Sequence, residues 1–169
     1  IGRMFAWLAT VFSDDPADIA FAVNLMSAIC TSVAAMMIAW TTIMFGKLAL
    51  LGRNTETNTA QNIALAFSGL VAGLSTAFCT SIWFSAVEGE VYAMSTMFTV
   101  ITLWAATKYY YIEDESEATR WLVLSLFMSG MSVGVHLLSI LSLPAIALLV
   151  YYKRYKEHTL KGAAIAMAL

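Results

Sequence analysis

The sequence predicts an all-α, polytopic transmembrane helix bundle, and three observations support this class. Apolar residues make up 60% of the 169 residues, and only 12% are charged. The mean hydropathy of +0.77 lies outside the range of soluble domains. Long apolar segments alternate with short polar ones, as expected for helices that each need about 20 apolar residues to cross a bilayer.

The first element is a short amphipathic segment. Residues 1–12 place apolar side chains on one helix face at i, i+3, i+4 and i+7 spacing. Because this segment is too short to span, we expect an interfacial helix with Trp7 at headgroup level, or alternatively the end of a longer helix. The next helix then begins, since Asp15 can cap it, Pro16 fits its first position and Asp18 suits the positive end of its dipole.

Five membrane spans are predicted after this start. They cover residues 19–45, 63–86, 91–112, 121–135 and 137–152, and residues 162–169 begin a further span. We expect the polar stretch from Gly46 to Asn62 to be a solvated loop. The spacing of Gly69 and Gly73, four residues apart, predicts the close approach of a neighbouring helix.

The last two spans come from one apolar region, residues 121–152. As a single helix this region would run roughly 48 Å, far beyond a hydrocarbon core of about 30 Å. It must therefore be divided, and we expect the break near Gly134-Val-His136, with Pro144 kinking or starting the second half. The acidic residues 113–117 that precede it are expected to form a solvated turn.

The positions of the basic residues predict the orientation. If each of the five spans crosses once, one side holds eight of the nine basic residues: Lys47, Arg53, Lys108, Arg120, Lys153, Arg154, Lys156 and Lys161. The other side holds Arg3 alone. By the positive-inside rule the first side is cytoplasmic. Residues 1–18, residues 87–90 and the region near His136 are then on the outer side.

Two carboxylates interrupt the apolar sequence between the second and third spans. Glu88 and Glu90 flank Gly89, which favours a turn, so both side chains can simply be solvated. The alternative is that they line a polar site at the membrane surface, where ionisable groups often have functional roles. Glu88 and Tyr92 are four residues apart and can share a helix face. We therefore predict Glu88, Glu90 and Tyr92 as substrate-binding residues.

His136 is the fourth predicted substrate-binding residue. It is either a buried, hydrogen-bonded imidazole or a site residue that binds a phosphate or carboxylate. Its position at a necessary break on the outer side supports the second reading, and both stay open. Other kinds of site lack sequence support. The chain has no glycine-rich phosphate loop, no paired metal-ligand motif and no basic nucleic-acid surface. Cys30 and Cys79 are expected to be buried free thiols in apolar segments.

Several motifs together resemble a known family. They are Arg3-Met-Phe, Val23-Asn-Leu-Met-Ser27, Trp83-Phe-Ser-Ala-Val-Glu-Gly-Glu-Val-Tyr-Ala-Met-Ser95, Gly130-Met-Ser-Val-Gly-Val-His-Leu-Leu138, Leu143-Pro-Ala and Val150-Tyr-Tyr-Lys153. The chain resembles a bacterial family of polytopic membrane proteins, formerly of unknown function, that is related to the vertebrate transmembrane protein O-mannosyltransferase. The resemblance extends over nearly the whole chain, and the chain reads as an internal fragment of a larger protein.

The resemblance implies a function as well as a fold. That family is similar to the GT-C glycosyltransferases, which transfer a sugar from a polyprenyl-phosphate donor to an acceptor hydroxyl on the outer side of the membrane. Glu88, Glu90 and His136 would then border the donor phosphate or the acceptor. The catalytic acid of GT-C enzymes lies in the first outer loop, upstream of residue 1, so no catalytic residue is assigned; Asp14 and Asp15 lie too far along the chain for this role.

The implied partners are the bilayer of a bacterial inner membrane, a lipid-linked sugar donor and a protein or glycan acceptor, with protein O-mannosylation as one such reaction. No nucleic-acid partner is expected. No cofactor is assigned, and a divalent metal near the carboxylates stays open as an alternative. Two other functions are also open. One is a transporter or flippase with a permeation site around His136, and the other is a non-catalytic subunit of a membrane complex.

Overall fold

The computed structural model describes residues 2–52, 56–89 and 91–168, apart from the side chain of Leu138, and it confirms the all-α class. The described residues form eight α-helices and one short 3-10 helix, with no strand. In chain order they are α1 (Gly2–Thr10), α2 (Pro16–Leu51), α3 (Thr59–Ala77), α4 (Thr80–Val87), α5 (Val91–Tyr111), α6 (Glu115–Val135), the 3-10 helix (Leu137–Leu141), α7 (Ser142–Arg154) and α8 (Leu160–Ala168).

Three of these helices are long and apolar enough to cross a membrane. Within the residues described, they are Pro16–Leu51, Thr59–Ala77 and Glu115–Val135, and they identify the chain as a membrane protein. The helix α5 has the same length as α6, 21 residues, but is not among these three. With 13 residues, α7 extends about 20 Å, which is less than the thickness of a hydrocarbon core.

The central helix is α5, which packs against α2, α4, α6, the 3-10 helix and α7. Trp40 contacts Trp104 with ring centroids 5.2 Å apart, and Lys47 lies over the ring of Tyr111 further along both helices. These contacts follow the same order along both helices, so α2 and α5 are parallel. Their apolar interface includes a buried cluster of Met26, Cys30, Ala93, Met94 and Phe98, against which Phe5 of α1 packs.

The helix α6 runs antiparallel to α5. Ser125 at its midpoint bonds to the carbonyl of Thr102, whereas Ser132 near its end bonds to the carbonyl of Ser95. The helix α7 turns back again, and its last residues reach the end of α5, where Lys153 contacts the carbonyl oxygens of Tyr109 and Ile112.

These directions place the described basic residues other than Arg3 at one end of the bundle. Asp14, Asp15, Asp18 and Glu88 lie where α2 and α5 begin, and we call this the acidic end. Lys47, Lys108, Lys153 and Arg154 lie where α2, α5 and α7 end, and we call this the basic end. The acidic residues Glu113, Asp114, Glu115 and Glu117 lie at this end too, between α5 and the first turn of α6. Arg53 and Glu90 fall outside the described residues.

The start of α2 agrees with the sequence, but its end does not. Asp15 is the N-cap and accepts a hydrogen bond from the backbone N–H of Ala17 at 2.9 Å, with Pro16 in the first turn. The sequence predicted that the helix would end before Gly46. The helix instead continues to Leu51 and is capped by Gly52. The φ of Gly52 is 77°, a positive value that glycine adopts readily.

The glycines of α2 and α3 serve close packing. A Cβ atom at Gly46 would lie 2.9 Å from Cδ2 of Leu65, and one at Gly69 would lie 2.6 Å from Cγ1 of Ile43. Gly46 therefore sits inside a helix because α3 packs on it, which explains why reading it as a loop signal was wrong. The predicted close approach at Gly69 and Gly73 is confirmed, with α2 as the neighbouring helix.

The segment predicted as one span over residues 63–86 is divided. A capping box of Asn58 and Gln61 starts the first part, α3, earlier than expected, and this helix ends at Ala77. Cys79 then takes an extended conformation and α4 begins. The rings of Phe78 and Trp83 stack across this break, with centroids 6.2 Å apart, and stabilise a turn that contains no glycine or proline. Cys79 is consequently exposed, not buried in a span as predicted, whereas Cys30 is buried; both are free thiols.

The acidic stretch before α6 begins a helix and is not simply a solvated turn. Asp114 is the N-cap, and its carboxylate accepts a hydrogen bond from the N–H of Glu117 at 2.7 Å. Glu115 and Glu117 lie in the first turn, where negative charge is favourable. At the other end of this region, Pro144 lies in the first turn of α7. It is therefore compatible with the start of a helix and introduces no kink in its middle.

Candidate functional site

The break between α6 and the 3-10 helix places His136 at the acidic end. His136 is the C-cap residue of α6, and its φ of −152° and ψ of 126° are extended. Its backbone N–H donates to the carbonyl of Ser132 at 2.8 Å, and its own carbonyl accepts from the N–H of Ser139 at 3.1 Å. The backbone of His136 is therefore fixed on both sides, and its side chain is half-buried.

A small polar cavity opens beside this histidine. The rings of Tyr92 and His136 have centroids 5.1 Å apart and are tilted by 48°. The cavity, of about 250 Å³, is lined by Tyr92, Ser95, Thr96, Thr99, Val100, His136 and Ser139. The structure thus brings together Tyr92 and His136, two residues that the sequence predicted separately, and adds hydroxyl groups to them.

The hydroxyl group of Ser139 is the centre of a buried hydrogen-bond network. Its oxygen lies 2.6 Å from that of Ser132, 2.8 Å from that of Ser95 and 3.2 Å from that of Thr99. These partners come from α5 and α6, and Ser139 itself lies in the 3-10 helix. The network therefore joins three elements around the cavity. Such interhelical hydroxyl bonds are favourable in an apolar bundle because no water competes for them.

One hydroxyl group of this network also faces the cavity. Ser132 and Thr99 both donate to Ser139, whose oxygen has two lone pairs. Ser132 also lies 3.3 Å from the carbonyl oxygen of Ser95, and between Ser139 and Ser95 either hydroxyl group can be the donor. Ser95 lines the cavity, where its hydroxyl group can hydrogen-bond to an oxygen atom of a ligand.

These hydroxyl residues were missed by reasoning from the sequence, although a signal is present. Serine and threonine recur at i, i+4 and i+7 in two consecutive apolar segments, as Ser95, Thr99 and Thr102 and as Ser125, Ser129 and Ser132. Such a stripe keeps one polar line on one helix face. Two matching stripes on antiparallel neighbours predict that the lines face each other.

The two predicted glutamates are placed differently. Glu88 is exposed and forms the C-cap of α4, and it does not line the cavity. The adjoining Gly89 packs against α2, since a Cβ atom there would lie 2.8 Å from Cγ1 of Val23 and 3.2 Å from Oδ1 of Asn24. Glu90 lies outside the described residues. The substrate-binding roles of Glu88, Glu90, Tyr92 and His136 therefore stay predictions.

A larger apolar groove adjoins the polar cavity. It has a volume of about 920 Å³ and lies between α2, α3 and α5. Val100 lines both spaces, so the cavity and the groove meet at this side chain. The groove carries a few polar groups, including Thr41, Thr42 and Gln61. A polar compartment next to an apolar one suits an amphiphilic ligand.

Metal ligands are not grouped in the described part of the chain. No three histidine, cysteine, aspartate or glutamate side chains among those residues are close enough to hold a metal ion together. The groups that line the cavity are hydroxyl, phenol and imidazole groups, which suit hydrogen bonding to phosphate or sugar oxygens.

The comparisons with known proteins give one family. The model of the protein O-mannosyl-transferase TMEM260 N-terminal domain matches residues 1–159, which is nearly the whole chain. No curated protein and no solved structure matches the chain.

Proposed function

Because the chain belongs to the family of the protein O-mannosyl-transferase TMEM260 N-terminal domain, we propose that it is part of a membrane glycosyltransferase of the GT-C type. The reaction is the transfer of a sugar, mannose by the family name, from a polyprenyl-phosphate-linked donor to an acceptor hydroxyl. It takes place at the acidic end of the bundle, which faces the outer side of the membrane.

The observation that carries this proposal is the polar cavity at Tyr92 and His136. It lies at a helix break inside the bundle, and its walls supply an imidazole, a phenol and hydroxyl groups. Polar groups inside a membrane bundle are costly and commonly mark a substrate site. Their arrangement suits the oxygens of a phosphate and a sugar, which accept hydrogen bonds.

The adjoining groove supports a lipid-linked donor. A polyprenyl phosphate has one polar end and a long apolar chain. The cavity suits the first, and the groove between α2, α3 and α5 suits the second, since the two spaces meet at Val100. Burial of the chain in the groove supplies binding free energy through the hydrophobic effect, at about 25 cal/mol for each Å² of apolar surface.

The residues of the cavity have distinct roles in this proposal. The Ser95 O–H and the His136 imidazole donate hydrogen bonds to the phosphate, which gains negative charge as it leaves the sugar. The ring of Tyr92 packs against His136 and limits its rotation. Glu88, which is exposed at the end of α4, faces the aqueous side and contacts the acceptor. The base that activates the acceptor hydroxyl is not among the residues assigned.

The test is transfer of labelled sugar from a polyprenyl-phosphate donor by the full-length protein in membranes. His136→Ala is expected to lower kcat/KM by about 10²-fold, since it removes a donor to developing charge. Ser95→Ala is expected to raise the KM for the donor. Matched controls are Ser81→Ala on exposed α4 and Glu157→Gln in the segment before α8, which should leave transfer unchanged.

The proposal also predicts a smaller effect for Glu88→Gln on the KM for the acceptor. Loss of transfer in the two controls to the same degree as in His136→Ala would contradict the proposed site. Absence of transfer by the parent protein with every polyprenyl-phosphate sugar tested would contradict the proposed reaction.

A further inference from the structure

A second cluster of polar and aromatic groups lies at the basic end, opposite the cavity. The Nζ of Lys108 lies 5.7 Å from the ring centroid of Trp40 and 5.9 Å from those of Trp104 and Trp121. The Nζ of Lys47 lies 5.7 Å from the ring centroid of Tyr111. We call these residues the lysine–tryptophan cluster: Trp40, Lys47, Trp104, Lys108, Tyr111 and Trp121.

The cluster joins three helices. Trp40 and Lys47 belong to α2, Trp104 and Lys108 to α5, and Trp121 to α6. The rings of Trp104 and Trp121 meet edge to face at 5.2 Å, so the aromatic groups form one contiguous surface. Tryptophan and tyrosine concentrate at the level of lipid headgroups, and this surface lies at the end of the bundle where that level is expected.

Acidic residues 113–115 and 117 lie at the same end as the cluster, but the contacts that the structure gives for Lys47 and Lys108 are of another kind. In the described part of the chain, the contacts of the Lys47 and Lys108 ammonium groups are with aromatic rings. Lys153 at the same end is different, because its Nζ contacts the carbonyl oxygens of Tyr109 and Ile112 at 2.7 and 2.8 Å and so caps α5. Lys47 and Lys108 therefore retain the capacity to bind an anion.

A further donor lacks an acceptor in the same place. The indole Nε1 of Trp104 is buried and has no hydrogen-bond partner among the described residues. A buried N–H without an acceptor is unfavourable, so such groups usually have a partner. Because this atom has no accessible surface, a phosphate oxygen beside Lys108 would supply the acceptor after a rotation of the Trp104 side chain.

We propose that the lysine–tryptophan cluster binds the phosphate headgroup of an anionic phospholipid of the surrounding leaflet. The half-buried ammonium groups of Lys47 and Lys108 supply the charge, and the Trp104 N–H supplies a directed hydrogen bond. The partly exposed ring of Trp40 contacts the glycerol and the first carbons of the acyl chains. This site is at the opposite end from the cavity and does not depend on the proposed transfer reaction.

The test uses the purified full-length protein in nanodiscs of equal parts phosphatidylglycerol and phosphatidylcholine with identical acyl chains. Native mass spectrometry gives the ratio of the two lipids retained by the parent, by the Lys47→Gln/Lys108→Gln variant and by Trp104→Phe, which keeps a ring and removes the N–H. The control is Lys156→Gln/Lys161→Gln, which removes the same charge from exposed positions.

The parent is expected to retain phosphatidylglycerol preferentially. The enrichment should fall by about fivefold for each lysine removed from the cluster. It should also fall in Trp104→Phe and remain within about twofold of the parent in the control. This pattern would support a specific site, because diffuse attraction depends on the number of charges and not on their position.

Three results would overturn the proposal. Equal loss of enrichment in the control would indicate diffuse electrostatic attraction. Unchanged enrichment in Trp104→Phe would contradict the role of its N–H, and this variant also decides the question if the double lysine variant does not fold. Displacement of the lipid by millimolar inorganic phosphate would identify the ligand as a free anion and not a lipid headgroup.

Discussion

The hydroxyl oxygens of Ser132 and Ser139 lie 2.6 Å apart across the break that separates α6 from the 3-10 helix. The same two residues also hold the backbone of His136, one through its carbonyl and one through its N–H. The side-chain bond thus closes the loop whose backbone presents the imidazole. The hydrogen bond between these two serines therefore helps to determine the geometry of the candidate site.

Ser139→Ala is expected to destabilise the protein because Ser139 has three hydroxyl neighbours. Removing its oxygen leaves the hydroxyl groups of Ser95, Thr99 and Ser132 without their common partner. The expected loss in free energy of unfolding is about 1–3 kcal/mol, measured by denaturation in detergent micelles. Ser85→Ala is the matched control, since Ser85 bonds only to the carbonyl of Ser81 in its own helix, and it should change stability by less than about 0.5 kcal/mol. Equal effects of the two changes would contradict the central role of Ser139.

The ring of Tyr92 is expected to matter more than its hydroxyl group. Its contact with His136 is between rings, at 5.1 Å. Tyr92→Phe keeps this contact, whereas Tyr92→Leu removes an aromatic pair worth about 0.5–1.5 kcal/mol. We expect Tyr92→Leu to lower kcat/KM for sugar transfer by up to about tenfold and Tyr92→Phe to lower it little. An equal loss in both variants would instead assign the effect to the phenol.

Gly89 is predicted to be intolerant of a side chain. The Cβ of alanine would lie 2.8 Å from Cγ1 of Val23, which is closer than atoms can pack without movement. Gly89→Ala should therefore lower the free energy of unfolding by about 1–3 kcal/mol. Gly130→Ala is the control, because nothing lies within 4 Å of a Cβ there and α6 gains a better helix former. A Gly89→Ala protein as stable as the Gly130→Ala protein would contradict the close packing of this turn on α2.

Lys153 is expected to stabilise the basic end. Its ammonium group caps two carbonyls at the end of α5 and lies 4.3 Å from the ring centroid of Tyr109. Lys153→Gln should lower the free energy of unfolding by about 1.5–3 kcal/mol, the usual range for a hydrogen bond to a charged group. Lys156→Gln, an exposed position only three residues away, should have little effect. If both changes are equally mild, the cap contributes little.

The sequence predicts the parts of this fold that local chemistry determines. Composition identifies the membrane helices, and the Asp15 cap and the Gly69 contact have the predicted roles. The helix boundaries that were predicted wrongly depend on tertiary contacts. Gly46 lies within a helix, where Leu65 packs closely against it. The turn after α3 depends on a contact between Phe78 and Trp83 that the sequence does not predict.

The candidate site was predictable in part. The sequence predicts His136 as a site residue because the long apolar region must break there, and Tyr92 because it lies four residues after Glu88. Their contact depends on the antiparallel pairing of α5 and α6, which no local pattern specifies. The serine network also requires both helices, since Ser95 and Ser132 are far apart in the chain and meet only when α5 and α6 pair.

The central claim is that the cavity beside Tyr92 and His136 holds the polar end of a lipid-linked sugar donor. Site-specific photo-crosslinking tests it most directly, with a photoreactive amino acid at Thr96, which lines the cavity, or at Phe67, which is exposed on α3. We predict that a labelled polyprenyl-phosphate sugar crosslinks at position 96, that unlabelled donor abolishes this signal, and that position 67 gives only background. Equal labelling at both positions, or labelling at position 96 that unlabelled donor does not reduce, would contradict the account.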